Sequence, residues 1–496
     1  MMAAAAATRR GVCGAGGWGA LAGGVGRMMA KWPQAVLTLI AAAVAPGCVL
    51  LNPTDPYRAP GLTAPGTSAA VRPESGPLPE GPLELAEAIR IALANNPEVA
   101  AVGHEVRAAQ AQRDAAVGQI LPSVHAVGGY GHYLDDQRLL IARENGEPGV
   151  FSRDLFSADL VISMPLFTGG RITSEIKAAE LLQKAAGHRL ARTREELVFN
   201  VSSVFYGILA QGEVIGSLEF SRKALQEHLK RIQDLIAAQK AAKVDQLRTE
   251  VRLADLEQRL VRERNVLAIQ ERVLANLLGL KKAGKSVDPA GELALAQAGI
   301  PETGQALQQA LSHRPDYLAA RSALEAQAKA VDAARAAHWP TVALEGAYGG
   351  RWAADPSDHP PGTSRSDDVG RVGVVMDVPV FEGGRIEARV RQETARLAAA
   401  QERLRELELQ VRLDVETALL NVNSSRERVL ATEKAIEQAK ESLRIEREKY
   451  DLGKGAIVDV LDAQSALLDS QTTYYRALAE YHTAVAQQRL AVGEEP

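Results

Sequence analysis

Met164-Pro165-Leu166-Phe167-Thr168-Gly169-Gly170-Arg171 recurs 214 residues later as Val378-Pro379-Val380-Phe381-Glu382-Gly383-Gly384-Arg385. Upstream of the first copy, Ala158, Leu160, Ile162, Met164 and Leu166 alternate with Ser157, Asp159, Val161, Ser163 and Pro165. Upstream of the second, Val372, Val374, Met376, Val378 and Val380 alternate with Arg371, Gly373, Val375, Asp377 and Pro379. A period of two with one apolar face marks a strand lying between two unlike media. A half-buried sheet of a soluble protein and a strand of a membrane barrel share that pattern, so the alternation leaves both open.

The match continues outward. Asn96-Pro97-Glu98 pairs with Arg314-Pro315-Asp316, and Leu121-Pro122-Ser123-Val124 with Trp339-Pro340-Thr341-Val342, at an offset of 218. Lys243-Val244-Asp245 against Ile457-Val458-Asp459 keeps 214, which places a shorter loop at 353–369 than at 134–153. The chain therefore reads as an N-terminal extension and signal peptide (1–47), a Pro-rich tether (48–82), a first repeat (83–280), a linker (281–302), a second repeat (303–493) and a short tail (494–496). Each repeat opens with a helix, about Leu83–Val117 and Thr303–Ala337, followed by two strands, a long helix, a turn and a return helix. Strands are expected to start at Pro122 and Pro340.

The long helices carry heptads. Val415, Val422, Val429, Ile436, Leu443 and Tyr450 recur every seven residues, and Val201, Ile208, Ile215, Arg222, Leu229 and Ile236 form the matching series, interrupted by Arg222. Leu253, Leu260, Leu267 and Leu274 repeat on the return helix. Such a seam packs against neighbouring helices and is too narrow for a globular core. A helix from 172 to 236 would be about 100 Å long.

With 57 basic and 61 acidic residues interspersed, the net charge of −4 gives no support to a nucleic-acid partner. Cys13 and Cys48 precede the folded-looking sequence, which excludes a disulfide scaffold. Arg27 and Lys31 before the apolar run 35–45 read as an export signal, with Met1, Met28 or Met29 as the start. Ala45-Pro46-Gly47-Cys48 resembles a lipobox with Pro46 as an unusual occupant, which makes Cys48 a candidate lipidation site; the alternative is a cysteine near an ordinary cleavage site.

Together the paired Gly-Gly-Arg segments, the opening Leu85-Ala86-Glu87-Ala88-Ile89-Arg90 and the stretch Tyr450-Asp451-Leu452-Gly453-Lys454-Gly455-Ala456-Ile457-Val458-Asp459-Val460-Leu461-Asp462-Ala463-Gln464 resemble the TolC outer-membrane factor family over about 83–493. Cys48 and the following Pro-rich run resemble its lipidated members. The resemblance implies an α+β membrane protein: a homotrimer whose four strands per subunit close a 12-stranded β-barrel in the outer membrane, continued by an α-helical coiled-coil barrel across the periplasm. It further implies a passive exit duct of a tripartite efflux or type I secretion system, without cofactor. Its implied partners are a periplasmic adaptor and an inner-membrane transporter of RND, ABC or MFS type. Four strands cannot close a barrel alone, so an oligomer is required in any case. The second reading is a periplasmic coiled-coil adaptor or scaffold, which would not duplicate a strand-pair and hairpin unit. Nothing in the sequence names the cargo.

In the family, Asp459 and Asp462 match the acidic pair ringing the inner constriction, and Tyr450 and Asp245 match partners of its closing link. Three residues apart on a helix, the two aspartates share a face; they equally complement the helix dipole. Tyr450 also lies on the heptad seam. Gly453, Lys454 and Gly455 form the tip, where adaptor hairpins would dock. Gly455 replaces the family's usual arginine, so one closing salt bridge is expected to be missing. Gln239 stands where the first-repeat tip glycine belongs, and Arg248 occupies the position equivalent to Asp462.

Two motif matches are refused. Gly279-Leu280-Lys281-Lys282-Ala283-Gly284-Lys285-Ser286 fits a phosphate loop in letters, yet a long helix precedes it and Pro289 and Gly291 follow. Gly14–Gly19 lies in the N-terminal extension with no strand before it. The nine histidines lack metal-ligand spacing, His125 and His132 read as lumen or rim residues, and no catalytic constellation appears.

Overall fold

A residue before proline is steered away from the helical region, and this breaks what the sequence reads as one opening helix per repeat. Asn96 and Arg314 take extended ψ values of 126° and 118°, and each divides its helix in two. The computed structural model describes residues 81–140, 150–239, 242–280, 289–295, 299, 301–353 and 366–494. The signal peptide, the tether and Cys48 lie outside the described residues, as does most of the refused phosphate-loop segment. The order is α1 (Leu85–Asn95), α2 (Pro97–Gly118), β1 (Ser123–Leu140), β2 (Val150–Phe167), α3 (Arg171–Ala237), α4 (Lys243–Leu277), α5 (Thr303–His313), α6 (Pro315–Ala336), β3 (Thr341–Ala353), β4 (Ser366–Asp377), α7 (Arg385–Asp451) and α8 (Ile457–Val492).

The strands form one antiparallel sheet in the order β1-β2-β3-β4. Its register obeys the sequence duplication. Moving Ala126↔Leu160 by 218 and 214 gives Leu344↔Val374, which is the observed β3–β4 pair. Outer edges β1 and β4 are unpaired within the sheet order. The apolar face is bare: Val372, Val374 and Met376 are 82%, 62% and 64% exposed. The opposite face holds the ion pair Arg351 Nη1–Asp159 Oδ1 at 2.7 Å. A soluble monomer would cover such a face, so this one is left for lipid or for another chain. Tyr130, Phe156 and Trp352 stack across three strands at one end of that face, with centroids 5.1 and 6.0 Å apart. Phe167 and Trp339 are exposed at the other end. Eleven residues along β2 rise about 36 Å, or about 28 Å at a ~40° tilt, close to the ~25 Å apolar band of outer-membrane barrels.

Below the sheet, α3 and α7, of 67 residues each, run beside the shorter helices. Contacts follow the orders α4–α3–α8–α7 and α2–α3–α6–α7, a layer one helix deep. Val415, Val422 and Val429 are buried on the α7 seam, as the heptads require. On α3 a second heptad series, Leu218, Leu225 and Ile232, carries the burial where Arg222 interrupts the first. The Nε of Arg222 is buried with no hydrogen-bond partner among the described residues. One window of α3 is apolar enough to cross a bilayer, but Val201, Phe205 and Ile208 are packed with α1 and α4 residues.

At mid-height the linker acts as a strap. Ala290 N donates to Leu83 O (2.9 Å), Leu293 and Leu295 pack on the α7–α8 core, and His482 Nε2 donates to Ala294 O at 3.0 Å. The two helix breaks also meet the ends of the return helices. Gly279 (φ 70°) lies against Asn95, and Gly493 (φ 69°) against Arg314. A buried charge cluster forms at the second junction. Arg314 donates to Asp316 (2.7 Å) and Asp414 (2.9 Å). Glu195 is buried 3.6 Å from Arg192, with one carboxylate oxygen lacking a hydrogen-bond partner among the described residues.

Candidate aperture at the helical tip

Each long helix must reverse at its lower end, and the second repeat does so with a glycine. Gly453 sits at φ 70°. Gly453 N bonds Tyr450 O (2.9 Å) and Lys454 N bonds Lys449 O (2.8 Å), the bonding pattern of a Schellman turn. Gly455 is confined, since a Cβ there would lie 3.1 Å from Lys449 Cβ. In the first repeat Gln239 takes the equivalent left-handed conformation, φ 58°, without being glycine. That conformation costs about 1–2 kcal/mol. Gln239→Gly is therefore expected to stabilise the tip by about 1 kcal/mol, read as slower backbone hydrogen exchange around 236–246.

Asp459 and Asp462 lie on the exposed face of the first turns of α8. Asp459 Oδ2 accepts from Ala456 N at 3.3 Å and so caps its own helix. Asp462 Oδ1 accepts from Arg252 Nη2 of α4 at 3.0 Å. Tyr450 packs on His228, with centroids 5.6 Å apart. Burial raises the Tyr450 phenol, and the nearby Asp245 carboxylate raises it further. Burial, then the charges of Arg231 and Arg447, hold the His228 imidazole below its ordinary value. Tyr450 and Asp245 are thus near one another, with no hydrogen bond joining them among the described residues. Next to them Arg231 Nη2 meets Asp451 Oδ1 at 3.1 Å, tying α3 to α7.

The pairs Arg231–Asp451 and Arg252–Asp462 escape a reading from the sequence, because single charges on long amphipathic helices look like solvated faces. For the second pair the signal is heptad spacing of opposite signs, Arg252 and Arg259 on one helix and Asp462 and Asp469 on the other.

Known proteins are similar over most of the chain. The pattern of a family described as "Outer membrane efflux protein" matches residues 88–280 and 306–494. Outer membrane protein TolC of Vibrio cholerae is 26% identical over 403 residues, covering 77% of this chain and 84% of that protein. Pyoverdine export outer membrane protein OpmQ of Pseudomonas aeruginosa is 27% identical over 455 residues, covering 85% and 89%. Among solved structures, the outer-membrane channel OprN superposes with a TM-score of 0.70 at 22% identity, covering 82% of this chain and 89% of that one.

Proposed function

The chain belongs to the outer membrane efflux protein family, and from that premise we propose that three copies close one twelve-stranded barrel continued by a hollow helical tube. As a member of that family it is an outer-membrane channel protein and not an enzyme. The tube works as a passive exit duct, joined through a periplasmic adaptor at Gly453, Lys454 and Gly455 to an inner-membrane pump. Asp459, Asp462, Tyr450 and Asp245 line and close its inner aperture.

The observation that carries this reading is a four-stranded sheet with a bare apolar face and two unpaired edges. Repeat symmetry states how another copy would complete it. Within the chain, β2 of the first repeat pairs with β3 of the second through Leu160↔Tyr348 and Asp159↔Gly349. The same step from second repeat to first sets Val374 opposite Tyr130, and Gly373 opposite Gly131, of a neighbouring copy. It also explains why β4 ends at Asp377 although alternation continues to Val380. The matching part of β2 is held by Met164↔Leu344 and Pro165↔Ala343, contacts that β4 lacks as an edge. On the helical side, α4 leaves Val244, Leu247, Val251 and Val261 exposed at heptad spacing, a seam facing away from its own hairpin.

Purified from outer membranes, the protein should migrate as a heat-modifiable trimer and conduct ions in planar bilayers. A detergent-independent monomer without conductance would refute the reading.

A further inference from the structure

We propose that Arg252 is a positioning residue of the aperture, pairing with Asp462 so that the net charge focusing cations there is carried by Asp459. The inference rests on the aperture reading above and deepens it. Among the described residues four cross-hairpin ion pairs climb from the tip: Arg231–Asp451 at 3.1 Å, Arg252–Asp462 at 3.0 Å, Arg259–Asp469 at 3.3 Å and Arg476–Glu263 at 3.3 Å. The second and third are one heptad apart on both helices and have the same sequence separation, 210. They are successive rungs between α4 and α8, set in register by the helices themselves. Beneath them the two hairpins are joined by Leu225, Leu256, Leu461 and Leu468 and by Gln464 Nε2 donating to Ser221 O at 3.4 Å. That packing fixes how far α4 stands from α8, and hence which acids an arginine of α4 reaches.

The rungs match charges unevenly. Asp469 faces Arg259, which also meets Asp255 at 3.3 Å. Asp462 faces Arg252. Asp459 has no cationic partner among the described residues; its one hydrogen bond there is the helix cap to Ala456 N. The first repeat contributes Asp245 at the position matching Asp459 and Arg248 at the position matching Asp462, one charge of each sign that offset one another. Three copies would then present three net negative charges from Asp459, with the Asp462 carboxylates offset by Arg252. These pairs are solvent-exposed, and exposed pairs contribute little to stability. Their consequence is electrostatic: an arginine beside a carboxylate cancels its field at a distance on the order of a Debye length.

The test uses the assembled trimer in planar bilayers, with hexaamminecobalt(III) as an inert trivalent blocking cation. Arg252→Gln leaves three carboxylates uncompensated and should tighten block about tenfold in ~0.1 M salt. Arg252→Lys should leave block as in the parent. The double variant Arg252→Gln/Asp462→Asn, neutral at both positions, should stay within about twofold of the parent, a result that a purely structural rung does not produce. Asp459→Asn keeps an oxygen for the cap but removes the free charge, and should weaken block about tenfold or more. Unchanged block in Arg252→Gln alongside weakened block in Asp459→Asn would overturn the neutralisation and keep the aperture. Unchanged block in Asp459→Asn as well would mean that the aperture reading itself fails.

Discussion

Arg314→Ala should lower the unfolding free energy by about 3 kcal/mol, followed by circular dichroism on heating. Arg314 is 2% exposed and donates to Asp316 and Asp414, so its removal strands two carboxylates beside a buried third, Glu195. Breaking one side of a buried ion cluster costs more than the cluster contributes, because the remaining charges stay desolvated. The pH dependence gives the effect a signature. Burial pushes the Glu195 carboxyl up to about 7 against the partial relief from Arg192. Folding therefore favours its protonated form. The associated stability is fully present below the unfolded value near 4.5 and is lost as pH rises through about 7. The difference corresponds to about 3 kcal/mol at most. Glu195→Gln should accordingly stabilise the protein at pH 8 and leave it unchanged at pH 4.5. Equal effects at both values would show that the carboxyl ionises normally.

Gly169→Ala should be nearly as damaging. At φ 61° an added Cβ would lie 2.5 Å from Trp339 Cβ and 2.8 Å from Ala336 O. The left-handed conformation costs about 1–2 kcal/mol, and the clash with backbone forces the β2–α3 turn away from α6. A total of about 3 kcal/mol or more is expected, with loss of assembled channel. The informative comparison is Gly383→Ala. Gly383 has the same conformation, φ 60°, but a Cβ there would meet nothing within 4 Å among the described residues of its own chain. Repeat symmetry places Leu121 of a neighbouring copy where Trp339 stands for Gly169. In the assembled protein the two substitutions should thus be equally harmful. A Gly383→Ala protein of near-parental heat stability would mean that no copy packs there.

The two cases separate what was legible in the sequence from what was not. Strand alternation and the paired Gly-Gly-Arg turns are local signals, and the offsets 218 and 214 carried over unchanged into the sheet register. The breaks at Asn96 and Arg314 are hidden in the sequence because the apolar pattern runs on through them: proline suits the first turn of the following helix as well as it ends the preceding one. Asn96 gives some warning, being a good cap, and its Oδ1 accepts from Glu98 N and Val99 N. Arg314 gives none, because an arginine before a helix reads as solvated until Asp414, 100 residues away, is seen to meet it. Arg252 and Asp462 give a partial signal in their heptad spacing with Arg259 and Asp469, but their partnership depends on which helices become neighbours. Whether alternation meant lipid or a soluble core was likewise decided by what covers the apolar face, a property of the fold.

All of this depends on separate chains sharing one sheet. Cysteines placed at Gly131 and Gly373, both on the polar face, test that sharing directly. Repeat symmetry sets them opposite each other across β4 and the β1 of a neighbouring copy, so oxidation should yield covalent trimers in the outer membrane. Moving the second cysteine to Val374 turns it to the lipid face and should abolish the link. No cross-link at 131/373, or equal cross-linking at 131/374, would contradict a barrel closed between copies in this register.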